Sequence, residues 1–192
     1  MTLDNCLLDY RNINTPEDLL NFMSKYINYG FISNKGKRYI EIDAAWNRDW
    51  FSKCIVQSGS GILKTKLGTC WDQVELERKW FKEHNYEFKT IFFWFNLPST
   101  NNRPTHTILA FKNNNKWFWF EHSFFSYRGI YEYGSLKELI NDVRTKHLKS
   151  AIKNGVANEK DLHSIEAYIY TKPKANLNVT DYLNHVKKSE PV

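Results

Sequence analysis

Thr105-His106-Thr107-Ile108-Leu109-Ala110-Phe111-Lys112-Asn113-Asn114-Asn115-Lys116-Trp117-Phe118-Trp119-Phe120-Glu121 is the stretch that decides the fold. Two β-branched and aromatic runs flank a short Asn-rich turn, the pattern of a β-hairpin. The turn roughly pairs Lys112 with Lys116, so the strand carrying His106 lies beside the strand carrying Glu121, and His106 falls opposite a residue close to Glu121. Upstream, residues 88–95 have the same strand-forming character, and Leu97-Pro98-Ser99-Thr100-Asn101-Asn102-Arg103-Pro104 reads as the polar loop between that strand and the hairpin.

Helical signals lie on either side of this run of strands. Thr15-Pro16-Glu17-Asp18 sets a capping hydroxyl before a proline and two acids, which starts a helix expected to reach about Tyr29 and stop at Gly30. Asn34-Lys35-Gly36 then suggests a turn before a short strand through Tyr39, Ile40 and Ile42, whereas residues 46–51 show no usable period. Residues 70–84 read as a helix with apolar positions at Cys70, Trp71, Val74, Trp80 and Phe81. Ser135 and Glu138 open another, to about Lys153, with the spacing of a capping box. A strand at 164–171 and a helix at 178–187 complete the chain. Helices, then neighbouring strands, then helices imply an α+β fold with an antiparallel sheet, in one domain over residues 1–192.

The composition is that of a folded protein. The 192 residues are 42% hydrophobic and 16% aromatic, which excludes disorder and collagen-like structure. The aromatic run around 92–95 and 117–125 reads as core, because strands buried on both faces are continuously apolar. Net charge is +6, and its densest part is Arg144, Lys146, Lys149 and Lys153 on an amphipathic helix. No aromatics interleave with these cations as a base-stacking groove requires, so a solvated face is expected and a nucleic-acid partner is not. Cys6, Cys54 and Cys70 are an odd number at wide spacing, without a disulfide framework or a paired metal motif, which points to free thiols in a reducing compartment. Met1-Thr2-Leu3-Asp4-Asn5 has no basic leader or apolar run, and no window approaches a membrane span, so a cytoplasmic location without a membrane partner is expected.

The segment with chemical potential is Gly68-Thr69-Cys70-Trp71, which sets a thiol where a loop hands over to a helix. Unpaired N–H groups and the positive end of the helix dipole stabilise a thiolate there, and the N–H of the cysteine itself is available to a developing oxyanion. A cysteine nucleophile needs a histidine base held by a third group. His106 and Glu121 meet that demand through the hairpin. Gln57, in the only Gly/Ser-rich stretch (Gln57-Ser58-Gly59-Ser60-Gly61), reads from the residues alone as a loop amide without catalytic contact. That stretch lacks the Lys-Ser/Thr of a phosphate loop at the required spacing, and a flexible loop flanking the site is expected instead.

Gly68, Cys70 and Trp71, followed by His106 and Glu121, resemble the ordered pattern of the transglutaminase-like branch of the papain-like cysteine enzymes. The resemblance covers about residues 57–125, with Glu121 standing where the family usually has Asp. It implies a nucleophile helix packed on an antiparallel sheet and a Cys-His-Glu triad of Cys70, His106 and Glu121, with Trp71 beside the cleft and Gln57, upstream of the cysteine, as a candidate oxyanion donor or cleft residue. It also implies acyl transfer from a peptide or carboxamide in a protein substrate without a cofactor, either to water, as a protease, amidase or deamidase, or to an amine, as a cross-linker; hydrolysis is the favoured expectation, because a small single-domain chain has little room for a second selective acceptor site. Asp72, two residues after the thiol, opposes a thiolate unless the helix turns it away. The competing expectations are a non-catalytic papain-like scaffold that binds a peptide and, behind it, a basic nucleic-acid-binding protein. Cys6 and Cys54 read as small core residues. Strand alternation sends His122 away from Glu121, which argues against a zinc site built from Cys70, His106 and His122.

Overall fold

The computed structural model describes residues 3–40, 44–97 and 104–192. Its first part comprises α1 (Leu3–Arg11), α2 (Pro16–Tyr26), β1 (Asn28–Tyr29), β2 (Phe31–Ile32) and β3 (Arg38–Tyr39), with β3 folded back on β2. Next come α3 (Ala44–Lys53), β4 (Ile55–Val56), α4 (Gly59–Thr65), β5 (Leu67–Gly68) and α5 (Cys70–Glu83). Then β6 (Glu87–Phe95), β7 (Thr105–Asn113), β8 (Lys116–Glu121) and β9 (Gly129–Tyr133) run in succession. The chain ends with α6 (Leu136–Lys153), β10 (Ile165–Ile169), β11 (Leu177–Asn178), α7 (Val179–Lys187) and β12 (Glu190–Pro191).

The main sheet has six strands in the order β12-β10-β6-β7-β8-β9, and every neighbouring pair is antiparallel. The fold is therefore α+β, as the element order implied. Alternation gives the sheet two buried faces. Phe92, Leu109, Phe111 and Phe120 pack with Val74, Trp80 and Phe81 of α5. Ile91, Phe93, Ile108, Ala110 and Trp119 pack on the other side with Leu139, Val143 and Leu148 of α6. Each fully buried side chain of this size contributes about 1.5–3 kcal/mol. Among the described residues no helix is long and apolar enough to cross a membrane.

Asn114 and Asn115, with φ of 47° and 61°, form a two-residue turn of the kind that matches strand twist. The register therefore pairs Asn113 with Lys116 and Lys112 with Trp117, one residue away from the expected pairing. α2 starts at Pro16 behind Thr15, whose hydroxyl accepts from the Asp18 N–H at 3.1 Å, but it ends at Tyr26, three residues before the expected end. The chain leaves the helix there because Asn28 and Tyr29 pair in parallel with Leu67 and Gly68. The aromatic segment without a period belongs to α3. Ile42 and the expected polar loop at 98–103 lie outside the described residues.

The Gly/Ser-rich stretch is not a loop. Ser58 caps α4, its hydroxyl accepting from the Gly61 N–H at 3.1 Å, and Gly59 lets α4 approach α5 closely. A Cβ on Gly59 would lie 2.5 Å from the Glu75 carbonyl oxygen. The basic face of α6 is partly engaged, since Arg144 donates to the Val192 carbonyl at 2.6 Å and Lys146 pairs with Asp142.

Candidate active site

Cys70 is the first residue of α5, and its location follows from how that helix begins. Asp72 reaches back to the N-terminus, where Oδ2 accepts from the Thr69 N–H at 2.8 Å and from the Thr69 hydroxyl at 2.9 Å. Its Oδ1 accepts from the Gln57 N–H at 2.7 Å. Burial pushes Asp72 up to about 7, against the pull of these three donors. The carboxyl is thus a helix cap and brace, turned away from the thiol. Gly68 tightens the same corner, because a Cβ there would meet Asp72 Cβ at 2.8 Å and Ile62 Cδ1 at 2.7 Å.

His106 and Glu121 stand on adjacent strands, on the face that packs against α6. His106 Nε2 meets Glu121 Oε2 at 2.8 Å. Glu121 Oε1 accepts from the Phe124 N–H at 2.8 Å and the Ser123 hydroxyl at 3.1 Å, so both carboxylate oxygens are fixed. Burial disfavours the imidazolium, but Glu121 and the Cys70 sulfur outweigh it and raise His106 above its ordinary value. With Nε2 taken by Glu121, Nδ1 is the nitrogen left to face the thiol. The start of β7 is pinned to the start of α5 by Trp71, whose indole N–H donates to Thr105 Oγ1 at 3.2 Å. That link sets the Cys70 sulfur against the His106 ring, where it raises the imidazole.

Gln57 and Trp71 are both held in contacts of their own. The Gln57 amide donates to the Leu67 carbonyl at 2.8 Å, and its oxygen accepts from the Thr65 hydroxyl at 2.8 Å, so it braces the entrance to α5 and has no donor aimed at the thiol. Trp71 is buried and stacked on Tyr182 with ring centroids 4.5 Å apart, in the core and not in an open cleft. His122 faces α5, where its Nδ1 lies 2.6 Å from Gln73 Oε1; burial lowers it to about 4. Cys6 and Cys54 are core residues, and all three cysteines are free thiols.

Two neighbours of the site escaped the sequence reading. The Tyr29 hydroxyl lies against the Cys70 thiol and the Cys70 N–H, and burial together with the sulfur's proximity raises its phenol well above the ordinary value. Nothing local marks Tyr29, because its strand partner, Gly68, is 39 residues further along the chain. His147 of α6 lies against His106 with ring centroids 4.4 Å apart. Its signal was available: Leu139, Val143 and His147 recur every four residues, so a histidine sits in the buried stripe. Tyr29, His106, Phe124 and His147 border a cavity of about 440 Å³ floored by Phe95 and Ala151.

In comparisons with known proteins the chain matches no family model and no curated sequence. The chemistry of the site therefore rests on its geometry. It offers a helix-start thiol only 6% exposed, a buried, hydrogen-bonded His-Glu pair, two donors near the sulfur and an apolar cavity alongside.

Proposed function

We propose that this protein is a cysteine-nucleophile acyl-transfer enzyme of the transglutaminase-like type, acting on a peptide or carboxamide carbonyl. The observation that carries the reading is the His106–Glu121 bond of 2.8 Å, with Glu121 locked by Ser123 and Phe124, beside a thiol at a helix N-terminus. Cys70 Sγ attacks the carbonyl carbon while His106 Nδ1 takes the thiol proton, and Glu121 stabilises the resulting imidazolium. The carbonyl oxygen gains charge near the Cys70 N–H and the Tyr29 hydroxyl, which donate to it. His106 returns its proton to the leaving amine as the C–N bond breaks, leaving a thioester on Cys70. Water then attacks the thioester, His106 again acting as base, and the thiol is regenerated. In this reading water, in preference to an amine, is the acyl acceptor. A cytoplasmic setting, where a free nucleophilic thiol persists, belongs to this reading.

The test is iodoacetamide labelling followed by peptide mapping. At about pH 6, Cys70 should alkylate faster than Cys6 and Cys54, and His106→Ala should remove the difference. Equal labelling of the three thiols would refute the reading. The low exposure of Cys70 favours one second reading, a non-catalytic scaffold that binds a peptide in the same cavity. In that case Cys70→Ala leaves partner binding intact and no acyl-enzyme forms with any carboxamide substrate.

A further inference from the structure

His147 presents an unmet polar atom next to the His-Glu pair. Its Nε2 is buried without a hydrogen-bond partner among the described residues, although the ring is 8% exposed and packed between His106 and Phe124. A buried imidazole nitrogen is ordinarily satisfied by protein, water or metal. One ligand atom each from His106, Glu121 and His147 lies within 4.8 Å of the other two, and the three residues are all buried.

We propose that His106, Glu121 and His147 form a binding site for a divalent transition-metal cation of the zinc class, and that occupancy switches the thiol chemistry off. The donor set, two imidazoles and one carboxylate with a fourth position facing the cavity, suits zinc. Tetrahedral zinc with bonds near 2.0–2.1 Å needs ligand atoms roughly 3.3 Å apart. His106 Nε2 and Glu121 Oε2 stand 2.8 Å apart and the ligand atoms of the three residues all lie within 4.8 Å of one another, so small side-chain rotations close the set on the metal. Glu121 already has the outer contacts that orient a metal ligand, through Ser123 and the Phe124 N–H. The cavity bordered by His106 and His147 supplies the way in.

The regulatory consequence rests on the acyl-transfer reading, whereas the metal site does not. A metal on His106 Nε2 leaves a neutral imidazole with its single proton on Nδ1. That nitrogen then has no lone pair for the Cys70 proton, and Glu121 is drawn from the imidazole to the ion. General-base action stops until the metal is removed by a chelator.

The experiment uses the full chain, freed of metal by a chelator and desalted. Zn²⁺ is titrated in competition with a chromophoric chelator, and Co²⁺ is followed by its visible absorption. The expected result is one equivalent bound at micromolar affinity or tighter, with the cobalt spectrum of a four-coordinate nitrogen and oxygen site. His147→Phe, which keeps an aromatic ring among Phe93, Phe95 and Phe124, should weaken binding roughly tenfold or more, and Glu121→Gln should do likewise. Cys70→Ala should bind as wild type does, whether or not the thiol proves reactive, which separates this site from the proposed enzyme activity. Absence of binding, unchanged affinity in His147→Phe, or a thiolate-to-cobalt band lost in Cys70→Ala would each overturn the proposal. Should His147→Phe not fold, anomalous scattering from zinc-soaked wild-type crystals decides the matter: density between the three side chains supports the site, and density elsewhere or none refutes it.

Discussion

Tyr29 pairs with Gly68 in the two-residue parallel ladder between β1 and β5, and this is what sets a phenol against the thiol two residues further on. The ladder couples the exit of α2 to the entrance of α5, so the hydroxyl is placed by backbone pairing and not by a mobile loop. Under the acyl-transfer reading it donates to the thiolate and then to the oxyanion. Tyr29→Phe should therefore slow acyl transfer by about 10²-fold, the scale of losing one such donor, while the ring keeps its packing and the unfolding midpoint holds. Iodoacetamide labelling of Cys70 should slow as well. Faster labelling in Tyr29→Phe would mean that the hydroxyl shields the sulfur instead.

Asp72 gives the stability of the protein a pH dependence. Its carboxyl is held at about 7 in the folded chain against an ordinary value of 3.8, so the folded state binds the proton more tightly. The favourable contribution is complete below about pH 4 and is lost as pH rises through 7, with a magnitude on the order of 4 kcal/mol. Cys54, Tyr29 and Glu75 also face this carboxyl, and Glu75 is raised by burial in the same sense. Comparing wild type with Asp72→Asn isolates the effect. The variant should lose about 1–2 kcal/mol at low pH from the missing cap and should show a flatter stability profile between about pH 4 and 7. Urea midpoints at three pH values check this, and parallel profiles would show that Asp72 is not the source.

Gly59 is required by packing, not by backbone conformation. A methyl group at this position meets the Glu75 carbonyl oxygen at 2.5 Å, so Gly59→Ala must push α4 away from α5. The expected cost is about 1–3 kcal/mol, read as a lower urea midpoint with an unchanged slope. Gly36→Ala provides the contrast at the β2–β3 turn: its φ of 76° strains any L residue, but its Cβ meets nothing within 4 Å.

Local chemistry made the hairpin legible. Alternation and an Asn-rich turn put His106 and Glu121 on neighbouring strands, and the slip of one residue arose because Asn114 and Asn115 alone make the turn. The helix starts behind Thr15 and Ser135 were equally local. What the sequence hid depends on partners distant along the chain. Tyr29 leaves its helix because Leu67 and Gly68 offer a ladder, and α4 forms from a glycine-rich stretch of poor helix propensity because Ser58 caps it and α5 covers it. Asp72 reads as a charge beside a thiol until its three donors are seen, one of which comes from Gln57. His147 joins the site only because α6 lies across the face of the sheet that carries His106.

Glu121→Gln tests the orienting role sharply, because the surroundings dictate how the amide must sit. The Phe124 N–H, 2.8 Å from Glu121 Oε1, can only donate, so the Gln carbonyl must stay there and its NH₂ must face His106. His106 Nε2 then has to accept, which places the ring proton on Nδ1, and Nδ1 loses the lone pair that takes the Cys70 proton. The substitution keeps size and most hydrogen bonds, so the fold should survive, yet catalysis meets the wrong tautomer as well as the loss of charge. Turnover of any acyl substrate should fall by about 10²–10⁴-fold, a range reaching to the loss seen when an orienting carboxylate is replaced by its amide. Thiol alkylation near neutral pH should slow in parallel, because the imidazolium that stabilises the thiolate is no longer supported. Nitrogen chemical shifts of the His106 ring supply the direct check: they should report Nε2–H in wild type at neutral charge and Nδ1–H in the variant. An unchanged tautomer with unchanged labelling would assign the orienting role to another group.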